Sequence, residues 1–175
     1  MLLDDFEPKI NVCVVENQTI YIKFLDTRWS ELLFSHWCVP VELLRPLIPR
    51  ELEIDTFEGQ AWLGLVPFHM SGVRPAWCPV LPFVSEFHET NLRTYVHFKG
   101  RDPGVWFLSL DAACRLAVEV ARWKWHLPYF NAEMNLCREG NAVQYSSRRI
   151  DHRSSRRADV DITAQIGEPL NPEPG

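Results

Sequence analysis

The residues from Phe87 to Phe98 alternate strictly between two kinds of side chain. Every second position carries a different polar group, and these positions are Glu89, Asn91, Arg93, Tyr95 and His97. A period of two is typical of a β-strand, which would place these side chains on one face, about 7 Å apart. Carboxylate, carboxamide, guanidinium, phenol and imidazole groups can together bind anions and transfer protons. The pattern therefore favours a row that lines a cavity, with Glu89 and Arg93 contacting a ligand. A solvent-exposed face is the alternative.

The elements that follow must position this row. After a turn at residues 99–104, the apolar run Val105–Leu110 predicts a strand that is covered on both faces. Asp111 stands where the N-cap of a helix over residues 112–124 is expected, and Pro128 closes the helical region. The spacing predicts an inward helical stripe made of Ala113, Leu116, Ala117, Val120 and Trp123.

The ordered series of motifs resembles the DUF2071, or YqjF-like, family of uncharacterised bacterial proteins. The matching stretches lie between residues 28 and 150, and they are His36-Trp37, Leu47–Pro49, Asn91–Val96, Gly104–Ala112 and Leu127–Tyr129. That family is similar in turn to acetoacetate decarboxylase. The resemblance implies an α+β fold in which a bent antiparallel β-sheet or barrel encloses a cavity and carries two outer helices.

The resemblance also suggests which residues act. It implies that Glu89 corresponds to the catalytic-site glutamate of the decarboxylases, whereas their ligand-binding arginine falls at about Cys38. Their two active-site lysines fall on Tyr129 and Phe130, and neither side chain can form an imine. We therefore expect no lysine-dependent decarboxylation. Tyr129 is either a hydrogen-bond donor and weak acid in the pocket or a core tyrosine.

The site predicted from the row and the resemblance has two parts. The catalytic residues are Glu89 and Tyr129, and the ligand-binding residues are His36, Asn91, Arg93 and Tyr95. We predict no cofactor. His69, Cys78 and His88 have spacings that match no compact metal site, so we predict no metal either.

Composition and charge narrow the function classes. A net charge of −5 argues against nucleic-acid binding by the protein as a whole. The apolar stretches are far shorter than the roughly 20 residues that a transmembrane helix needs, and the N-terminus resembles no signal peptide. We therefore expect a cytoplasmic protein without a membrane partner. The five cysteines are scattered, which predicts reduced and mostly buried thiols.

The remaining chain predicts a single domain over residues 1–175. Residues 1–27 favour a hairpin or a lead-in strand, residues 41–47 a short helix, and residues 52–66 a hairpin. The four prolines between Pro67 and Glu86 predict mostly irregular chain, either a lid or a connector. Glu139-Gly140-Asn141 predicts another hairpin, and residues 159–166 alternate as a strand does. Family members continue beyond such a tail, so the resemblance implies a C-terminally truncated domain.

Three functions are compatible with the sequence. The first is non-catalytic binding of a small carboxylate or carbonyl metabolite in a polar cavity. The second is an enzyme, a lyase or a hydrolase-like acid–base catalyst, that acts on such a metabolite through Glu89 and Tyr129. The third and weakest is nucleic-acid binding through the five arginines of residues 148–157. The sequence leaves open whether the chain forms a homo-oligomer.

Overall fold

The computed structural model describes residues 10–22, 25–75, 85–155 and 157–168. The secondary structure in these ranges is dominated by strands. In chain order the elements are β1 (Ile10–Ile22), β2 (Leu25–Val39), α1 (Val41–Leu44, continued by a 3-10 turn over Arg45–Leu47), β3 (Glu53–Ile54), β4 (Thr56–Phe57), β5 (Gln60–Pro75), β6 (Phe87–Phe98), β7 (Arg101–Ala112), α2 (Arg115–Trp125), β8 (Tyr129–Glu139), β9 (Ala142–Arg149) and β10 (Asp159–Gln165).

The long strands form one curled sheet in the order β1-β2-β5-β6-β7-β8-β9-β10. The sheet curls into a half-barrel with two helices, which confirms the predicted fold class. Neighbouring strands run antiparallel except β7 and β8, which pair in parallel through Leu110–Tyr129 and Ala112–Asn131. Helix α2 connects these two strands, because a parallel pair needs a crossover of that length. The sheet is therefore mixed and not purely antiparallel.

Several local predictions are confirmed by the element bounds. Helix α1 and its 3-10 continuation cover residues 41–47, and the predicted hairpins are present as β4–β5 and β8–β9. Of the N-terminal part, the described residues 10–22 form strand β1, which pairs with β2. Neither helix of the described residues is long and apolar enough to cross a membrane.

The prediction of irregular chain after Pro67 is wrong for residues 67–75, which continue β5. Proline lacks an N–H and is tolerated inside a sheet mainly at bulges. Such a bulge lies opposite Pro67, because residues 31–34 of β2 face only residues 66–68 of β5. Within the bulge, Glu31 has a positive φ of 52°. The predicted lid or connector is thereby reduced to residues 76–84, which lie outside the described residues.

Helix α2 differs from its prediction at both its start and its inward face. Asp111 is not an N-cap: it belongs to β7, and the helix begins at Arg115 after Cys114. The buried helix positions are Val118 and Ala121, whereas Leu116, Val120 and Trp123 of the predicted stripe are exposed. The small side chains on the inward face let the helix approach the sheet closely.

The two helices lie on opposite faces of the sheet. Helix α1 packs against Ala61 and Val96. Helix α2 packs through Val118 against Phe87 and Ala112. Because successive strand residues point to opposite faces, Phe87 lies on the same face of β6 as Glu89. Helix α2 therefore covers the end of the sheet face that carries the polar row.

Candidate functional site

The polar row lies on β6, as its alternation predicts. The side chains are not equally exposed: Glu89 and Asn91 are 4% and 1% exposed, whereas Arg93 and Tyr95 are half-buried. Burial of this face increases towards helix α2. The row therefore has a buried end at Glu89 and a more accessible end at Arg93 and Tyr95, and it is not a solvent-exposed face.

At the buried end, the structure brings together the two predicted catalytic residues. Strand β8 begins beside β7, with Tyr129 next to Leu110, and this places its phenol over the same face. Tyr129 Oη donates a hydrogen bond of 2.8 Å to Glu89 Oε2. Burial raises the pKa of Glu89 to about 8, an effect that the Tyr129 hydrogen bond reduces and the nearby Asp111 carboxylate increases. Glu89 is therefore mainly a neutral carboxylic acid at pH 7.

Tyr129 is fixed as a neutral phenol by the same environment. Its pKa is raised well above the ordinary value, first by burial and then by Glu89. Two lysines lie among the described residues: Lys99 stacks on Phe98 at the opposite end of β6, and Lys124 is exposed on α2. Lys99 follows Glu89 by ten positions, about 33 Å along an extended strand. The Glu89–Tyr129 pair thus consists of two acidic groups, a carboxyl and a phenol, and includes no amine.

At the accessible end, three of the predicted ligand-binding residues meet. His36 Nε2 lies 2.6 Å from Tyr95 Oη, and Arg93 Nη2 lies 3.5 Å from the same oxygen. The Arg93 guanidinium carbon is 5.4 Å from the centre of the Phe34 ring and 5.7 Å from that of Tyr95. Burial and, second, the Arg93 charge lower the pKa of His36, so its imidazole is neutral at pH 7.

Gly64 makes this meeting of three strands sterically feasible. It lies in β5 between His36 of β2 and Arg93 of β6 in the sheet register. A Cβ at this position would stand 3.0 Å from His36 Nε2 and 3.5 Å from Arg93 Cγ. The glycine therefore leaves the space in which the two side chains approach each other. The sequence analysis missed Gly64 and Phe34. A glycine inside an apolar run, and an aromatic residue two positions before His36, were the available signals.

Three polar atoms on this face are buried and have no hydrogen-bond partner in the described part of the chain. They are Asn91 Oδ1, Arg93 Nε and Trp62 Nε1. Trp62 is two residues from Gly64 in β5, so it lies on the face of Gly64, Arg93 and Asn91. Buried polar groups are paired in the large majority of cases, and unpaired ones often mark a position for water, an ion or a ligand.

Two cavities of the described structure lie away from this row. One, of about 20 Å³, lies between the β2 bulge and β9 and is lined in part by Pro67 and Tyr145. The other is an open groove of about 300 Å³ on β8–β10, beside Glu133 and Arg148. None of the six predicted site residues lines either space. The predicted cavity at the row stays a prediction.

Two arginines of the arginine-rich segment, Arg149 and Arg153, are engaged in ion pairs. Arg149 Nε donates to Asp111 Oδ1 at 2.8 Å and also reaches Ser109. Arg153 contacts Asp151 and Glu119 at 2.6 and 2.9 Å. These two side chains connect the loop to β7 and α2, and this structural role explains both arginines without nucleic-acid binding.

The histidines considered for a metal site form a pair. His69 Nδ1 and His88 Nδ1 lie 3.3 Å apart, and burial followed by the nearby His69 lowers the pKa of His88. The third residue considered, Cys78, lies outside the described residues. Among those that are described, no group of three or more potential ligands could hold a metal ion. Of the described thiols, only Cys114 is buried, since Cys38 is half-buried and Cys137 is exposed.

Known structures share this fold. An acetoacetate decarboxylase from Legionella pneumophila superposes with a TM-score of 0.54 at 14% identity, over 78% of this chain and 56% of its own. The enduracididine biosynthesis enzyme MppR, complexed with pyruvate, superposes with a TM-score of 0.57 at 13% identity, over 85% of this chain and 58% of its own. At these identities the likeness shows the fold alone, which is acetoacetate decarboxylase-like.

Sequence comparison gives the family. The uncharacterized protein YqjF of Bacillus subtilis is 50% identical over 121 residues, which are 69% of this chain and 50% of that protein. The chain thus spans about half the length of this relative. The model of the DUF2071 family, described as an uncharacterized conserved protein, matches residues 26–175. The chain therefore belongs to the DUF2071 family.

Proposed function

We propose that this protein binds a small carboxylate-bearing metabolite on the polar face of β6, with Arg93 pairing with the carboxylate. The observation that carries the proposal is the unpaired state of the half-buried Arg93 guanidinium. Its one hydrogen bond to another described residue is the 3.5 Å contact with Tyr95, and its Nε is buried without an acceptor. A desolvated cation without a counter-ion is costly, and a bound carboxylate removes that cost.

The other arginines provide the comparison. Five of them each donate to a carboxylate or a backbone carbonyl within 3.1 Å, and they are Arg45, Arg122, Arg138, Arg149 and Arg153. Arg93 differs from all five because its guanidinium contacts two aromatic rings and a phenolic oxygen, and it reaches no carboxylate or carbonyl of the described residues. Aromatic faces stabilise a cation but leave its N–H groups free to bind an anion.

The neighbours of Arg93 also suit a carboxylate or carbonyl ligand. Glu89 on the same row is mainly protonated at pH 7, so it adds little negative charge that would repel an anion. Trp62 Nε1 offers a further buried donor, and Asn91 Oδ1 an acceptor for a hydroxyl or amine of the ligand. The MppR structure described as complexed with pyruvate, a small 2-oxo acid, supports the same ligand class.

Calorimetric titration tests the proposal. We expect acetate, pyruvate, 2-oxobutyrate and acetoacetate to bind more tightly than pyruvamide, which has the same shape as pyruvate without the negative charge. The Arg93→Met variant should weaken binding of the best acid at least tenfold. Arg101→Met, at an exposed position of β7, is the matched control and should bind as the unchanged protein does. Equal binding by Arg93→Met, or binding of the amide as tightly as the acid, would contradict the proposal.

A second candidate function is acid–base catalysis at the Glu89–Tyr129 pair. It is favoured by one observation, the protonated carboxyl held 2.8 Å from a phenol in a buried position. A raised carboxyl pKa is typical of a general acid. If the pair is catalytic, Glu89→Gln should abolish turnover of the bound acid while its affinity changes less than threefold. If the protein only binds, no ligand that binds will be turned over by the unchanged protein.

A further inference from the structure

We infer that Tyr95, His36 and Arg93 form a proton-transfer centre of their own, which acts on short 2-oxo acids held by Arg93. The inference rests on the proposed binding function, and it moves the chemistry for short ligands away from Glu89. In this arrangement Arg93 binds the carboxylate, Tyr95 exchanges a proton with C3, the carbon next to the 2-oxo group, and His36 accepts the phenolic proton. Gly64 is a positioning residue for the three side chains.

The hydrogen-bond geometry is compatible with this direction of the relay. A guanidinium can only donate, so Tyr95 Oη accepts from Arg93 Nη2 at 3.5 Å. The relay requires that the phenolic proton is directed to His36 Nε2, which lies 2.6 Å away and accepts it in one of its two neutral tautomers. In that tautomer the proton of the imidazole lies on Nδ1. The lowered pKa of His36 is consistent with this neutral form.

The arrangement is held by contacts on every side. The His36 ring stacks on the Phe34 ring with a centroid distance of 6.2 Å and on Tyr95 with one of 5.8 Å. Other titratable groups near the centre are engaged: Cys38 Sγ donates to Gln60 at 3.2 Å, and His97 accepts from the Gly100 N–H and lies 4.0 Å from Glu53. Arg93 is thus the charge that faces the Tyr95 phenol directly.

Distance along the strand separates this centre from Glu89. The Cα atoms of Glu89 and Arg93 are four residues apart, about 13 Å in an extended strand. The Arg93 guanidinium contacts Tyr95 Oη and the Phe34 ring, and it makes no hydrogen bond or ion pair with Glu89. A three- or four-carbon acid whose carboxylate is paired with Arg93 therefore reaches Tyr95 before it reaches Glu89. Only a longer ligand spans both ends of the row.

The proton transfer balances without an added oxidant or reductant. The C3–H bond of a 2-oxo acid breaks and its electron pair stays on the carbon as an enolate. The proton moves to Tyr95 Oη while the phenolic proton moves to His36 Nε2. The negative enolate lies next to the Arg93 guanidinium and the newly formed imidazolium, which stabilise it. Reversal of the step after exchange with solvent returns a deuteron to C3 in D₂O.

The test is exchange of the C3 protons of pyruvate and 2-oxobutyrate in D₂O, followed by proton NMR. We expect the protein to accelerate exchange above the buffer rate. Tyr95→Phe and His36→Gln should each lower that rate at least tenfold while the Kd of pyruvate changes less than threefold. His152→Gln, at an exposed histidine outside the site, is the matched control and should leave the rate unchanged.

Two further readouts separate a relay from a structural role. Gly64→Ala substitutes neither Tyr95 nor His36, but it should lower the exchange rate because the added Cβ displaces His36 Nε2. Nitrogen-15 NMR should find the Nδ1–H tautomer of neutral His36 at pH 7, and Tyr95→Phe should shift the Nε2 resonance. The Nε2–H tautomer, or an Nε2 resonance that Tyr95→Phe does not move, overturns the inference.

The failures of the two proposals are distinguishable. If pyruvate binds and its protons do not exchange, the relay is wrong and the binding proposal stands. If exchange occurs and is lost in Glu89→Gln but not in Tyr95→Phe, the relay is wrong and the acid–base centre lies at the other end of the row. If no short acid binds and none exchanges, both proposals fail together.

Discussion

Tyr129 Oη lies 2.8 Å from Glu89 Oε2 and donates a hydrogen bond to it. An ammonium group there would hold the carboxylate ionised, but a phenol supplies only a hydrogen bond. That hydrogen bond does not offset the burial of the charge, so the pKa of Glu89 rises to about 8. A phenol as the hydrogen-bond partner thus leaves the buried glutamate a proton donor at neutral pH.

The protonation of Glu89 should make folding stability depend on pH. The folded-state pKa is raised from 4.5 to about 8, so the folded chain binds the proton more tightly than the unfolded chain does. Stability from this group is fully present below pH 4.5 and is lost as the pH rises towards 8. We expect the free energy of unfolding to fall by about 3 to 4 kcal/mol between pH 5 and pH 8.5.

Denaturant titrations over that pH range measure the effect. Glu89→Gln keeps a neutral, hydrogen-bonding side chain and should remove most of the pH dependence. Glu133→Gln changes an exposed carboxylate of β8 and should retain it. If the free energy of unfolding of Glu89→Gln falls with pH as steeply as that of the unchanged protein, other groups cause the pH dependence.

Arg93→Met should not destabilise the ligand-free protein. The substitution removes two aromatic contacts of about 0.5 to 1 kcal/mol each, but it also removes a half-buried cation whose buried, unpaired Nε–H costs about 1 to 3 kcal/mol. We expect the free energy of unfolding to stay the same or to rise by about 1 kcal/mol. Arg149→Met is the contrasting variant, since it leaves the Asp111 carboxylate buried without its partner. A comparable loss of stability in both variants would contradict the unpaired state of Arg93.

Asp111→Asn should be strongly destabilising although the side chains differ little in size. The carboxylate pairs with Arg149, and the two side chains are only 7% and 10% exposed. Burial raises the pKa of Asp111 and the Arg149 hydrogen bonds lower it, so the pair depends on both partners. Removal of the negative charge leaves a buried cation, at a cost of about 3 kcal/mol. Chemical denaturation measures this, and Asp161→Asn on the exposed side of β10 should change stability by less than about 0.5 kcal/mol.

The orientation of helix α2 can be checked with two substitutions. Val118 is fully buried, and Val118→Ala should cost about 2 kcal/mol because it leaves a cavity against Phe87 and Ala112. Trp123 is 80% exposed, and Trp123→Ser should change the free energy of unfolding by less than about 0.5 kcal/mol. The reverse order of the two effects in thermal or denaturant unfolding would support the stripe that the sequence predicts.

The local pattern of β6 was predictable because strand alternation is a property of consecutive residues. The Glu89–Tyr129 contact was expected only through the family resemblance, since 40 positions separate the two residues. Neither the strand alternation nor the family resemblance predicted the contact between Asp111 and Arg149. Asp111 stands at a strand end before a helical pattern, where aspartate often caps, and only the parallel pairing of β7 and β8 brings Arg149 within reach.

The inward face of α2 could not be chosen from the sequence because the helix carries two apolar stripes. Leu116, Val120 and Trp123 are spaced as a buried face requires, and so are Cys114, Val118 and Ala121. The spacing alone led to the first stripe, whereas the structure buries Val118 and Ala121 of the second. In β5, the proline at position 67 suggested a break because the bulge that accommodates it lies in a different strand.

Because β2 has an extra residue opposite Pro67, a change in one of the two strands at this point requires a compensating change in the other. Deletion of one residue at Glu31 would restore regular pairing between β2 and β5. It would then place a backbone carbonyl opposite the Pro67 nitrogen, which has no hydrogen to donate. It would also turn the side chains on one side of the deletion to the other face of the sheet, His36 among them. A proline in one strand thus sets the length of its neighbour, and through that length it determines whether the imidazole reaches the row on β6.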